Sequence, residues 1–458
     1  MISIARKFAS KFGIDKAIIF TSSSSILGAF GGVVSVILVV KYLTGIEQGF
    51  YYTFGSIVAI QMFFELGLNG IITQYVAHEA SNLRWENEHI LYGESKYMSR
   101  LSSLLHFCVK WYLCLATILL ITLIAVGIIF FNRYDTTNGA VIWVGPWIVL
   151  TLGTSINLIF SPLMAFIQGM GKVKEIAQIQ LLQQIFRLSI IWGGLILGAK
   201  LYILGMSSFI GVSLLILIIA GKYRKLLTNI WKTVIAEKVN YRKEIFPYQW
   251  KIALSWISGY FIFQLFNPVL FATEGAIVAG QMGMTLAALN GILSLSFAWI
   301  TTKVPFFSGL IAQKEYAHLD NIFNKTLNQS VLINFAALSF MTITIYLVRH
   351  FNVELSGKLL GNRFLNYIPM FFMLVPTLLN QVVGSWATYL RCHKKEPFLI
   401  NSIVGGILCS LSTVILGKYF GVIGMTSGYC LITVAMLPWA YYIFKTKKIE
   451  WHKIAIRQ

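Results

Sequence analysis

The sequence predicts an all-α polytopic membrane protein, with about twelve transmembrane helices in two six-helix bundles related by a pseudo-two-fold axis along the membrane normal, enclosing a central cleft. Three observations predict it. Hydrophobic residues make up 57% of the 458-residue chain and charged residues only 12%, about half the charged share of an ordinary soluble protein. Twelve apolar runs are long enough to cross ~30 Å of hydrocarbon at ~20 residues each. The first six runs match the last six in order and in their connecting turns.

The spans cover residues 17–42, 49–77, 105–131, 141–168, 176–197, 201–220, 248–271, 276–303, 330–348, 365–390, 398–416 and 422–444. The basic start "MISIARKFASKFGIDK" runs into span 1 without a small-residue cleavage site and reads as the approach to an anchor, not a leader. With both termini inside, seven of the 37 lysines and arginines fall outside: Lys41, Arg133, Lys200, Arg349, Lys358, Arg363 and Lys418. Lys110, Arg187 and Lys251 lie within spans, and every other basic residue is in a terminus or an inner connection. This bias places both termini in the cytoplasm.

The two copies share landmarks. "GIEQGFYYTFGSI" after span 1 matches "ATEGAIVAGQMGM" after span 7, setting Glu47 against Glu274, and the basic turn "MAFIQGMGKVKE" after span 4 matches "ATYLRCHKKEP" after span 10. Copies with an even number of spans insert in the same orientation, and in repeat transporters the substrate sits between them at the midplane. The expected division is a bundle over 1–221, a basic cytoplasmic linker over 222–247, a second bundle over 248–445 and a basic tail over 446–458. In the linker, Leu226, Ile230 and Val234 form one apolar face, expected to lie on the inner leaflet with its lysines and arginines at lipid head groups. Trp143, Trp147 and Trp439 suit interfacial anchoring.

The net charge of +20 follows from this topology and not from a nucleic-acid surface. The five cysteines sit mostly in apolar stretches without paired spacing, and the seven histidines are scattered, so no metal and no cofactor is expected. No GxxxxGK[ST] pattern is present to hold ATP. The longest outer connection, "RHFNVELSGKLLGNR", is too short for a catalytic domain, which argues against a membrane polymerase or ligase of glycans and for a non-enzyme.

Polar residues deep in the spans are few. Arg187 sits near the middle of span 5, where a permanent cation costs ~2.5–3.5 kcal/mol, and Gln180, Gln183 and Gln184 extend it into a polar stripe at three- and four-residue spacing. A guanidinium there can bind an anionic group of a cargo through forked hydrogen bonds, or pair with Glu65, the one acid well inside a span. Glu65 is the candidate for coupling to H+ or Na+. Gln264, Asn267 and Asn290 are the corresponding polar positions of the second copy, as ligands or as glue between helices.

The stretches "YLTGIEQGFYYTFGSI", "FFELGLNG", "AFIQGMGKVKE" and "PFFSGLIAQKE" resemble the polysaccharide transporter family, with the O-antigen flippases, of the multidrug, oligosaccharidyl-lipid and polysaccharide (MOP) exporter superfamily. The resemblance spans the whole chain in length, span count and repeat order. It implies a multi-pass protein of the bacterial inner membrane that moves an undecaprenyl-diphosphate-linked oligosaccharide from the cytoplasmic to the periplasmic face by alternating access, for surface polysaccharide synthesis. It also implies the polysaccharide polymerase machinery as a partner and a cationic cavity, to which Arg187 is carried over. The alternative is a cation-coupled extruder of drugs or other small molecules from the same superfamily, in which deep acids would attract the cargo.

Overall fold

The computed structural model describes residues 16–457, except 66, 88, 89, 138 and 394. The basic start of the chain lies outside the described residues. Helices dominate because the apolar runs carry few backbone breakers, and a chain in hydrocarbon must satisfy its own backbone N–H and C=O groups. In order they are α1 Lys16–Tyr42, α2 Gly45–Val58, α3 Met62–Glu65, α4 Leu68–Ala80, α5 Ser95–Tyr134, α6 Val144–Gly169, α7 Val173–Ile196, α8 Tyr202–Ile218, α9 Arg224–Lys232, α10 Phe246–Phe263, α11 Phe266–Glu274, α12 Ala276–Thr301, α13 Val304–Ala312, α14 Tyr316–His350, α15 Tyr367–Arg391 and α16 Leu399–Arg457.

Among the described residues, nine helices are long and apolar enough to cross a membrane. The expected spans are all traceable. Span 1 falls in α1, span 7 is broken into α10 and α11, and spans 11 and 12 run together through α16 with a reversal of backbone at Gly421 (φ 60). The connection between spans 2 and 3 forms a two-stranded hairpin, Leu83–Asn87 with Ile90–Gly93.

Two compact units emerge. One contains Ile57–Arg133 and Ile142–Ile257; the other contains Ser25–Ser56, Tyr134–Val141 and the chain from Ser258 onward. In the first unit α6 is the hub, packed on α4 and α8. Trp147 is fully buried there, donating from Nε1 to Leu123 O at 3.1 Å. This corrects its expected interfacial role: its ring lies so close over Gly127 that a Cβ at that glycine would be 2.0 Å from the indole nitrogen.

The linker is bound to its own unit. Ser99, Ser102 and Ser103 line one face at the start of α5. Ser99 Oγ accepts from the amides of Ala236 (2.7 Å) and Glu237 (2.8 Å), Ser102 Oγ donates to Thr233 O, and Ser103 Oγ accepts from the Val239 amide. His106 stacks on Trp231 with ring centroids 3.6 Å apart. Leu226 and Ile230 are buried against protein, while Val234, past the end of α9, is 82% exposed. Two of the three residues of the apolar face expected to rest on lipid are therefore used by the chain itself. Arg100 completes the attachment, bridging Glu79 at 2.9 Å and Glu244 at 2.6 Å.

In the second unit, α12, α14 and α15 are joined by a buried polar network. Asn334 Nδ2 donates to Ser296 Oγ at 2.8 Å, Ser330 Oγ donates to Ser296 O at 2.7 Å, and Gln381 donates to Ser330 Oγ. Such interhelical bonds average ~0.6 kcal/mol in membranes but fix which faces meet. At one end an aromatic core of Phe307, Phe323, Tyr389 and Phe444 holds the last turns of α16, with Lys448 on Asp320 at 2.8 Å.

Candidate functional site

Arg187 stands ~21 Å along α7 at 1.5 Å per residue. Its Nη2 donates to Gln184 Oε1 at 3.1 Å, and the side chain is exposed. Gln180, two turns earlier, is also exposed. Gln183 turns away and donates from Nε2 to Gly211 O on α8 at 3.2 Å. The predicted stripe thus divides. Gln180, Gln184 and Arg187 make one open polar face, and Gln183 fastens α7 to its neighbour.

Glu65 closes α3 at an interruption of the second span: α2 ends at Val58, a tight turn covers Ala59–Gln61, and Gly67 adopts φ 66 before α4 begins. Only glycine takes that left-handed conformation without cost, so "FFELGLNG" breaks the helix beside its acid. A break inside a span leaves backbone carbonyls without helical partners. Among the described residues, Glu65 has no ion pair and no hydrogen bond, and Arg187 has no acidic partner. Asn69, four residues on, is engaged elsewhere: its Nδ2 donates to Ser161 Oγ at 2.5 Å and its Oδ1 accepts from Tyr112 at 3.1 Å.

Of the second-copy positions, Gln264 is half-buried in the gap between α10 and α11, and Asn290 is exposed on α12. Asn267 is buried, its Nδ2 donating to Ser56 Oγ on α2 at 2.9 Å.

That bond belongs to a seam within the second unit which the sequence reading missed. Gly49 meets the start of α12 so closely that a Cβ would stand 2.0 Å from the Ala276 carbonyl oxygen; a Cβ on Gly280 would stand 2.9 Å from the Gly49 nitrogen. Phe50 packs edge-on against Phe271, with centroids 4.9 Å apart. Gln48 Nε2 donates to Gly280 O at 2.8 Å and to Arg363 O at 3.2 Å. The buried Arg363 donates from Nη2 to Leu43 O at 2.9 Å, and Lys358 donates to Leu43 O at 2.9 Å. The residues in the matched turns carried the signal, since Gly45 and Gly49, and Ala276 and Gly280, are small residues four apart, the spacing at which helices cross closely. Thr53 Oγ1 and Asn267 Oδ1 are buried in the seam without a hydrogen-bond partner among the described residues.

The fold has counterparts among solved structures. The chain is similar to a multidrug resistance MATE family transporter of the MOP superfamily in its inward-facing form, with a TM-score of 0.52 and 14% identity over 92% of this chain and 99% of that one. The outward-facing form gives a TM-score of 0.55 at 14% identity, over 94% and 96%. The MATE multidrug transporter DinF-BH in complex with R6G gives 0.56 at 14% identity, over 94% and 96%. No family model and no curated protein matches the sequence. The chain is a multi-pass membrane protein with the helical fold of MOP-superfamily transporters.

Proposed function

We propose that this protein transports a lipid-diphosphate-linked oligosaccharide across the bacterial inner membrane by alternating access, from the cytoplasmic to the periplasmic face. The observation that carries the reading is the open face of α7, where Arg187 has Gln184 as its hydrogen-bond partner and no acid beside it among the described residues. A cation held mid-span without a counter-charge attracts an anion, and a guanidinium grips phosphate oxygens in pairs. Gln180 and Gln184 supply further donors, while the prenyl chain stays in the lipid. The seam at Gly49, Ala276 and Arg363 is the closed outer side in this reading. Its small residues allow tight closure, and its unpaired polar atoms would be hydrated on opening. Glu65, at a helix break, is the proposed acceptor of a coupling H+ or Na+.

A second reading is a cation-coupled extruder. Glu65, which has no ion pair or hydrogen bond among the described residues, favours it, since such a carboxylate would attract a cationic drug.

The test is surface-glycan display in a deletion strain of the native host, complemented with wild type, Arg187→Lys or Arg187→Ala at matched membrane levels. The flippase reading expects no display with the alanine variant and partial display with lysine. A deletion that leaves display intact and sensitises cells to cationic drugs overturns it in favour of the extruder.

A further inference from the structure

The second unit holds a pocket of about 550 Å³ at the end of α14 that the basic-residue bias assigns to the outside. That volume falls within the ~300–1,000 Å³ of small-molecule sites. Its wall is built from the end of α14, the 351–366 connection, the first turn of α15 and the chain just after Gly421.

The lining is chemically specific. Arg349 is locked in place: Nε donates to Gly361 O at 3.1 Å, and Nη2 donates to Phe364 O at 3.0 Å and Leu365 O at 2.8 Å. Its guanidinium lies 4.7 Å from the centre of the Tyr367 ring. All these partners are neutral, and no acid pairs with Arg349 among the described residues, so its charge is fixed and uncompensated. Asn352, Asn362 and Asn366 line the same pocket. Among the described residues none of the three side-chain amides makes a hydrogen bond within the protein; Asn366 precedes the first turn of α15 without capping it. Each amide carries two donors and an acceptor, a set that matches neighbouring hydroxyl groups. Tyr367, Pro369, Val422 and Ile423 add apolar surface for C–H groups.

We propose that this pocket binds the sugar portion of an oligosaccharide bearing a carboxylate or phosphate, on the side of the membrane where the cargo is delivered. The assignment rests on the flippase reading and extends it with a second, exit-side site. Amides and the tyrosine ring meet hydroxyl and C–H faces of the sugars, and Arg349 meets the anionic group. The same connection carries the seam: Asn362 O accepts from Gln281 Nε2 at 2.9 Å, and its neighbour Arg363 holds Leu43. An occupant touching Asn362 therefore bears directly on the segment that fastens the seam.

The test uses the full chain in lipid nanodiscs and, as probe, oligosaccharides freed by mild acid from the lipid-linked pool of the host. Binding is read by saturation-transfer NMR and calorimetry, with thermal unfolding to show that variants keep their fold. Wild type binds the probe, and the Asn352→Ala/Asn362→Ala double variant, melting like wild type, binds at least tenfold more weakly; Tyr367→Ala gives an independent loss. Absence of binding by wild type, or unchanged binding by the double variant, overturns the proposal. Full displacement by glycerol phosphate or by inorganic phosphate at equal concentration also overturns it, assigning the pocket to a lipid head group or a free anion. The deletion strain separates the two levels. Loss of display on deletion combined with unchanged binding by the double variant sinks the pocket alone, whereas intact display on deletion sinks the flippase reading beneath it.

Discussion

Arg363 reaches Leu43 across 315 or more residues of chain, its Nη2 donating to the Leu43 carbonyl oxygen at 2.9 Å while Nη1 donates to Gln48 Oε1 at 3.3 Å. One buried guanidinium thereby satisfies the end of α1 and the start of α2 together. The carbonyl at Leu43 also accepts from Lys358, so this turn is held by two cations from one connection.

Replacing Arg363 with Met removes charge-assisted hydrogen bonds of about 1.5–3 kcal/mol each. The expected outcome is a lower melting temperature in detergent, with Arg363→Lys recovering only part because an ammonium cannot keep the planar fork. An unchanged melting temperature for the methionine variant would remove the clasp from the account of the seam.

At Gly49 the obstacle is backbone: a Cβ there would lie 2.0 Å from the Ala276 carbonyl oxygen, and neither helix can yield without moving. Gly49→Val is expected to hold the seam apart. In a chain freed of native cysteines, Thr53→Cys, fully buried in the seam, should resist a water-soluble maleimide alone and react with it once Gly49→Val is added. Equal reactivity in both backgrounds would show that the seam does not close on Gly49.

Acid should loosen both units. At Glu244, burial pushes the carboxyl upward but is outweighed by the Asn240 amide and Arg100, which hold it below its ordinary value. At His393, burial leads and holds the imidazole below its ordinary 6.5. Both folded values are depressed, so both contributions are present above the ordinary value and are lost as pH falls through the folded one. For His393 the loss therefore begins below pH 6.5. Melting temperature measured against pH should fall in that region, and His393→Phe should flatten this limb while Glu244→Gln flattens the part in the carboxylate range. A profile unaltered by either substitution would refute the assignment.

Ser99 Oγ accepts two linker amides at 2.7 and 2.8 Å. Ser99→Ala strands both donors, at about 1–3 kcal/mol where they stay buried. Faster proteolysis within 233–245 is the expected readout, and resistance equal to wild type would show that the linker is held by other contacts.

For Glu65, the coupling proposal expects Glu65→Gln to reach the membrane at normal levels yet lose its response to an imposed proton or sodium gradient in vesicles. A variant that keeps its gradient response would reduce Glu65 to a packing residue at the break.

The sequence by itself determined the membrane class, the spans and their order, because hydrophobic length and charge bias are local sums over consecutive residues. It also marked Arg187, Glu65 and their neighbours, since any polar group deep in an apolar run is conspicuous. Only the tertiary structure decided which of these groups meet. Periodicity put Gln183 in one stripe with Arg187, but packing gave it to Gly211. Composition put Trp147 at an interface, but the missing side chain of Gly127 opened a place for its ring in the core. Nothing local shows that Gly49 and Ala276, or Arg363 and Leu43, lie together, because such contacts depend on shape and hydrogen-bond complementarity between segments hundreds of residues apart.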